Sequence, residues 1–375
     1  MAGIRRREFI ERGGTAALGL AASLGWRDAP AGQAAEQTST KDRSTPKPRV
    51  KVGQIGTGHA HAAGKMSTLR KLSADYEVVG VVEPDEALRR KWQDHPVYRG
   101  LTWMTEEELL GTPGLQVVAV ETTVRDLVPS AARCIAAGMH LHLDKPAGES
   151  LSAFKKVIDE ATRRNLAVQM GYMFRNNPAF PFCFRAVREG WLGQVFELDG
   201  VMSKMIGAGA RLGLAQYPGG TMFELGCHLI DAMVAALGKP DRVTPYLRRT
   251  RPEQDDLADN MLAVFEYPRA TATIRSAVVE VEGMRRRQFV VCGDRGTVDI
   301  RPLEPPQVRL ALDEPRGPFQ RGYQEVDLPP MPGRYDGQLA ELAQIVRGER
   351  ENPYPPSHDL AVHEAILRAS GLPLD

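Results

Sequence analysis

Cysteine is scarce in this 375-residue chain: Cys134, Cys183, Cys227 and Cys292 are the four present, and no two stand in C-x-x-C spacing. That excludes a zinc ribbon or a dithiol redox motif and makes each thiol a small apolar side chain rather than half a disulfide. Charge of one sign is also lacking. The 48 lysines and arginines balance 47 aspartates and glutamates, a formal net charge of +1. Without a basic or acidic field, nucleic acid and polyanionic partners are not expected. No internal repeat is visible, and no apolar run approaches the roughly 20 residues of a membrane span. What is present is a globular composition, 42% hydrophobic and 25% charged, long enough for two domains with cores of their own.

The N-terminus reads as a processing segment. In "IRRREFIERGG" Arg6 and Arg7 precede Phe9-Ile10, similar to a twin-arginine export signal. The apolar run 15–26 and a small-x-small site at Ala29-Pro30-Ala31 follow in the order export requires. No cysteine follows the run, so no lipid anchor is expected. Residues 1–31 are therefore read as a signal that delivers the protein to the periplasm or beyond. Residues 32–48, polar and aperiodic, are read as a disordered linker.

From residue 49 the hydrophobic pattern alternates strand with helix. "VKVGQIG", "YEVVGVVEPD", "LQVVAVETT", "MHLHLDKP" and "LAVQMGYMF" are short apolar strands separated by helical spacings. This predicts a doubly wound α/β Rossmann domain with a parallel sheet over 49–173. Beyond it the rhythm changes to long strand-like runs joined by turn signals and interrupted by one strong helix over 221–238. That predicts an α+β domain over 174–375 with a largely antiparallel open sheet. Pro-rich stretches at 302–318 and 328–334 are read as loops, and two late helices near 336–347 and 358–370 as packing back on the first domain.

"VGQIGTGHAHAAGK" (52–65) poses the chemical question. Gly56 allows a tight turn after the first strand, and Gly58 lets backbone approach a pyrophosphate at the following helix N-terminus. Thr57, His59 and Ala60 lie in the same loop, but His61 stands where the third glycine of the pattern belongs. Glu83 ends the second strand, where a carboxylate accepts from a ribose diol and repels a 2′-phosphate, favouring NAD over NADP. The competing reading is a metal held by the H-x-H pairs His59/His61 and His140/His142. It is disfavoured because 59–61 lies in a turn, His140 should lie within the sheet, and no motif places a carboxylate beside them.

"DKP" puts Asp144 and Lys145 at the carboxyl end of a parallel strand, the edge where ligands of such sheets bind. A lysine there can stabilise an alkoxide as hydride leaves. In "GGTMFELGCHLIDAM", Glu224, His228 and Asp231 share one helical face, and a histidine beside a carboxylate suits a general base. Thr221-x-x-Glu224 is also a capping box, which would occupy Glu224 at the helix start.

Taken in order, the G-x-G turn, the acid ending the second strand, Thr122-Thr123, "DKP", "GYMFRNNPAF" and "LGCHLID" resemble the Gfo/Idh/MocA oxidoreductases. The resemblance implies an NAD(P)-dependent enzyme acting on a secondary hydroxyl of a sugar or polyol. Lys145 and His228 would handle the hydroxyl proton, with Glu224 supporting them and Thr122, Thr123 and Asp144 beside the cofactor. Arg175, Asn176, Asn177 and Asp231 are candidate contacts to the carbohydrate, and a homodimer or homotetramer is implied. The chain departs from the pattern at Asp144 (commonly Glu), Glu224 (commonly Asp), Thr123 (Pro), Leu127 (His) and His61 (Gly). Export would leave the enzyme without a free NAD pool, so a tightly held nucleotide is expected. That admits sugar-to-sugar redox coupling, or transient oxidation by a glycoside-cleaving enzyme or epimerase. A non-catalytic nucleotide- or sugar-binding sensor is the alternative outside catalysis. His61 is expected either to displace the first helix or to turn its imidazole into the cofactor cleft.

Overall fold

The computed structural model describes residues 47–331 and 333–375, so the expected export signal and nearly all of the linker lie outside the described residues. Among the described residues no helix is long and apolar enough to cross a membrane.

Five short apolar segments form the first sheet: Val50–Ile55 (β1), Tyr76–Val82 (β2), Val117–Val120 (β3), His140–Leu143 (β4) and Val168–Met170 (β5). All pair in parallel, in the order β2-β1-β3-β4-β5. Trp103 extends the sheet beyond β2 by a single parallel bridge to Val81. Counting that bridge as a strand gives the dinucleotide-binding order 3-2-1-4-5-6, with its outermost member reduced to one residue. Helices Ala62–Lys71 (α1), Glu86–Trp92 (α2), Glu106–Leu110 (α3), Val124–Ala136 (α4) and Leu151–Arg163 (α5) cover the sheet. Asp85 caps α2 through the N–H groups of Ala87 and Leu88, and Thr105 with Glu108 forms a capping box on α3. The strand order reverses between β1 and β3, which opens a crevice at their carboxyl ends.

The second domain begins with a 3₁₀ turn, Met173–Asn176, and helix Ala179–Arg188 (α6). Its sheet has eight strands: Val195–Ser203 (β6), Arg242–Arg248 (β7), Asn260–Glu266 (β8), Thr271–Ala277 (β9), Gln288–Gly293 (β10), Gly296–Leu303 (β11), Pro306–Leu312 (β12) and Gly322–Val326 (β13). They run β13-β12-β11-β10-β6-β9-β8-β7, antiparallel throughout except for β6 against β9. Strand β12 and the end of β11 correct the expectation of a loop over 302–318. Pro306 sits at the first strand position, where no ladder N–H is required, and Val308, Leu310 and Leu312 alternate into the core. Helices α6 and Ala208–Ala215 (α7) are further elements that the apolar period does not announce.

Asp336–Val346 (α9) lays Leu339, Leu342 and Ala343 on Val50, Val52 and Leu69 of the first domain. Tyr76 Oη donates to the Leu339 carbonyl at 2.6 Å. Pro356–Ala369 (α10) packs on α5 and on Cys227–Leu237 (α8), so the two domains share one continuous apolar core.

At this junction the structure corrects three expected sugar contacts. The Arg175 guanidinium is buried and forks onto Asp231 (2.6 and 3.1 Å) and Asp359 (2.6 Å), with its plane over the Tyr354 ring at 3.9 Å. Asn177 accepts from the Ala179 N–H, at the start of α6, and donates to the Leu303 carbonyl. Arg175, Asp231 and Asn177 thus bind the fold together, because burial requires each polar group to find an internal partner. Asn176 alone of the expected sugar contacts is half-buried, and its Oδ1 has no partner among the described residues. Replacing Arg175 by Leu strands two buried carboxylates and is expected to cost about 3–5 kcal/mol. Urea unfolding measures this, and a loss under about 1 kcal/mol would show the ion pairs to be dispensable.

Candidate functional site

The crevice at the ends of β1, β2 and β3 encloses about 270 Å³ and is lined by Gly56, Gly58, Glu83, Thr122 and Thr123 among others. Gly56 has φ +89°, and a Cβ there would stand 2.6 Å from Thr122 N and Cα. Only glycine lets β1 turn against β3 so closely. Glu83 is held by the Thr57 N–H (2.6 Å) and hydroxyl (2.7 Å) on one oxygen and the Asp85 N–H (3.0 Å) on the other. Each carboxylate oxygen keeps acceptor capacity for a further donor. Asp85, Glu106 and Asp126 also line the crevice, and its one guanidinium, Arg133, is already paired with Glu106. Gly58 and Ala60 are exposed at the loop that leads into α1.

His59, Asp144 and Lys145 belong to a second cluster beside this crevice. Asp144 is fully buried, and four groups converge on its carboxylate. The Lys145 N–H donates at 2.7 Å and the Lys65 ammonium at 3.0 Å, while His59 Nδ1 lies at 3.1 Å and His61 Nδ1 at 3.3 Å. Burial alone would push the Asp144 carboxyl up, but His59, Lys65 and His61 outweigh it and hold it well below the usual carboxylate range. Lys65 also meets Glu121 at 3.3 Å and His142 Nε2 at 2.6 Å. Burial disfavours its charge, yet Asp144 and Glu121 raise its pKa. The Glu121 carboxyl, unlike that of Asp144, is driven well up, by burial first and then by Asp144.

The helix expected over 221–238 begins as a π turn, Met222–Gly226, before α8. The Lys145 ammonium donates to the Glu224 carbonyl (2.7 Å) and to Glu224 Oε1 (2.9 Å). The capping-box alternative is thereby corrected: Thr221 Oγ1 donates to the Ser276 carbonyl, and Glu224 reaches across the domain junction to Lys145. The expected single polar face is divided as well. Glu224 pairs with Lys145, Asp231 with Arg175, and His228 lies among Tyr172, Phe174 and His61. Burial favours neutral Lys145, but Glu224 outweighs it and keeps the ammonium charged to high pH. The same burial lowers His228 well below its ordinary value, leaving a neutral imidazole whose Nδ1 has no partner.

His61 N-caps α1, and its ring turns inward, 4.8 Å from the His59 ring, 5.8 Å from Tyr335 and 6.3 Å from His228. Asp144 also supplies the carboxylate that the sequence reading of a metal found missing: ligand atoms of His59, His61 and Asp144 lie within 4.8 Å of one another. Their lone pairs are already in use. His59 Nδ1 accepts the His61 N–H (3.3 Å), and Asp144 accepts from Lys65 and from the Lys145 N–H. A dication there would face the Lys65 ammonium.

Sequence reasoning missed Lys65, Glu121 and Tyr335. Lys65 lies four residues after His61 on the same face of α1. Glu121 ends β3 as Glu83 ends β2, so the strand-end rule reaches it too. Tyr335 carries no local signal. Lys65→Met leaves two buried carboxylates together and is expected to lower stability by about 3–5 kcal/mol, with part recovered in Lys65→Met/Glu121→Gln. Asp144 has a depressed folded pKa, so its contribution is complete above the unfolded value near 3.9 and is lost as pH falls through the folded one. Unfolding at stepped pH should place that loss on the acid side of the ordinary carboxylate range, and a loss setting in near neutrality would contradict it.

Residues 50–172 match the family model for the oxidoreductase family NAD-binding Rossmann fold, and residues 184–299 match the GFO/IDH/MocA C-terminal domain. The uncharacterized oxidoreductase YdgJ of Escherichia coli K12 is 23% identical over 84% of this chain and 94% of its own length. Human trans-1,2-dihydrobenzene-1,2-diol dehydrogenase is 22% identical over 52% of this chain and 58% of its own. The crystal structure of an aldose-aldose oxidoreductase from Caulobacter crescentus superposes with a TM-score of 0.72 at 20% identity, covering 86% of this chain and 98% of that one. With both domain models matched in order, and the crevice and the lysine–glutamate pair in place between them, the chain belongs to the Gfo/Idh/MocA family of oxidoreductases.

Proposed function

We propose that the protein is an NAD-dependent dehydrogenase acting on a secondary hydroxyl of a sugar or polyol, with its nucleotide held between half-reactions. The observation that carries this reading is the placement of the Lys145–Glu224 pair and His228 beside the glycine-loop crevice. The crevice suits a dinucleotide. Gly56 and Gly58 admit backbone to a pyrophosphate, and Glu83 has acceptor capacity for a ribose diol. Its carboxylate-rich lining, with Arg133 already paired, disfavours a 2′-phosphate and so favours NAD over NADP. Bound there, the nicotinamide would supply the two-electron acceptor.

The residues then divide the remaining work. Lys145, buried and kept as an ammonium by Glu224, faces the oxygen on which charge develops and stabilises it. His228, kept neutral, presents an imidazole with a free Nδ1. Glu224 Oε2, buried and unpartnered, is a further acceptor for a substrate hydroxyl. The names of two relatives, an aldose-aldose oxidoreductase and a dihydrodiol dehydrogenase, support a vicinal-diol or sugar substrate. A retained nucleotide is favoured by the export signal read at residues 1–31, since one sugar must then reoxidise what another reduces.

Denaturing the purified protein should release about one NAD per chain. Protein that emerges empty and binds NAD only weakly would rule out retention. Lys145→Ala is expected to lower turnover by about 10²-fold or more with NAD binding unchanged. Nucleotide-loaded parent protein that turns over no member of a broad sugar and glycoside panel would instead favour a sensor.

A further inference from the structure

Positive charge gathers on the second-domain side of the Lys145–Glu224 pair. Lys204 follows β6 directly and Arg287 directly precedes β10; the two strands pair antiparallel, with Val201 opposite Gln288. Arg287 is buried, and its Nε donates to the Ser203 carbonyl at 3.0 Å, which fixes it beside the end of β6. Its Nη1 lies 3.6 Å from Glu304 Oε2, while Arg334 holds Glu304 Oε1 at 2.8 and 2.9 Å. One carboxylate thus serves two guanidiniums. Arg334 adjoins Tyr335, whose ring stands 5.8 Å from that of His61.

Lys204 is left without a counter-charge. Its backbone is committed, the N–H to the Ala277 carbonyl and the carbonyl to the Glu280 N–H. Its ammonium makes no ion pair or hydrogen bond among the described residues. Neighbouring acids are already paired: Glu224 with Lys145, Glu304 with the two guanidiniums, Glu280 with Arg286. Burial, then Arg287, lowers the Lys204 pKa; Lys145 and Arg334 add to this and Glu224 opposes it. Arg287 also joins burial, Lys145 and His61 in disfavouring charge on His228. The cations therefore border the reacting groups.

Four cations, Lys145, Lys204, Arg287 and Arg334, face two carboxylates, Glu224 and Glu304. The charges behind them cancel, since Asp144 is matched by Lys65 and Glu121 is held toward its neutral form. Like charges this close repel, more strongly where water is partly excluded, and an anion between them removes that cost. Two buried acceptors on the same side, His228 Nδ1 and Glu224 Oε2, have no partner. Such acceptors suit hydroxyl groups. The ligand that satisfies both sets is polyhydroxylated and carries negative charge.

We propose that Lys204, backed by Arg287 and Arg334, binds the carboxylate of an acidic sugar, so that the substrate class is a uronate or an aldonate. The inference rests on the dehydrogenase reading and leaves Lys145 and His228 in the roles given there. A carboxylate fits these donors better than a phosphate. The guanidiniums are committed to Glu304 and to the Ser203 carbonyl, which leaves a single compact ammonium. Three phosphate oxygens with nearly two charges would call for more free donors.

Reduction of the bound nucleotide in the full-length protein tests this with matched sugars: D-glucuronate against D-glucose, D-galacturonate against D-galactose, D-gluconate against D-glucitol. At least one acid should exceed its neutral partner by about tenfold or more in second-order rate. Its half-saturating concentration should rise with ionic strength, and that of the neutral sugar should not. Lys204→Met should lower the acid-to-neutral preference by about tenfold or more while nucleotide content stays that of the parent, and Lys204→Arg should keep most of the preference. Neutral sugars that react as fast as their acids, or a preference untouched in Lys204→Met, overturn the proposal and leave the dehydrogenase reading standing. Faster reaction of D-glucose 6-phosphate than of D-glucuronate overturns the carboxylate assignment. If no sugar reduces the nucleotide, the dehydrogenase reading fails, and calorimetric titration with the same acids decides the site. Binding that is lost in Lys204→Met upholds it, and absence of binding overturns it.

Discussion

A carboxylate with no access to water, that of Asp144, is the constraint on which the site depends. An isolated buried charge is too costly to keep, so everything within reach of it has to donate or carry positive charge. The Lys65 ammonium and His61 do so from the loop and helix that follow β1, and the Lys145 N–H does so from the residue next to Asp144 itself. Even the absence of a side chain is part of it. A Cβ on Gly171 would stand 2.7 Å from Lys65 Nζ and 2.9 Å from Asp144 Oδ1. The His59 and His61 imidazoles occupy the space in front of that carboxylate.

From that anchor the same burial moves neighbouring groups in opposite directions. Lys145 sits next to a carboxylate and keeps its charge; at His228 burial, then Lys145 and His61, outweigh the pull of Asp144, and it loses its own. The outcome is a fixed ammonium at Lys145 beside a neutral His228 imidazole. This is the combination required to stabilise an oxyanion and to move a proton near neutral pH. The crevice beside it, bounded by the Gly56 turn and the ends of β2 and β3, follows from the reversal of strand order and not from any single residue.

Much of this is legible in the order of the amino acids. The period of the apolar residues marks both sheets, and the rule that ligands meet the carboxyl ends of parallel strands finds Glu83, Asp144 and Lys145. Such reading fails where a side chain's partner lies in another segment. Arg175, Asn177 and Asp231 look like surface polar residues in a loop and on a helix, yet they close a buried junction once α8 and α10 are packed. Thr221 and Glu224 match a capping box, but the π turn at Met222–Gly226 aims Glu224 elsewhere. The strand β12 is hidden because its flanking prolines outweigh three alternating apolar residues.

The sequence by itself determined the succession of elements, the parallel and antiparallel character of the two sheets, and the glycine turn that opens the crevice. These depend on local period, on β-branched content and on the one backbone angle only glycine tolerates. Tertiary structure alone decided which polar groups face one another: His61 with Asp144, Lys65 with Asp144 and Glu121, Lys145 with Glu224, Arg175 with Asp231 and Asp359. Charge pairing falls off over a few ångströms and is independent of separation along the chain. It therefore becomes defined only when helices and strands from distant parts of the sequence have been brought to the same edge of the sheet.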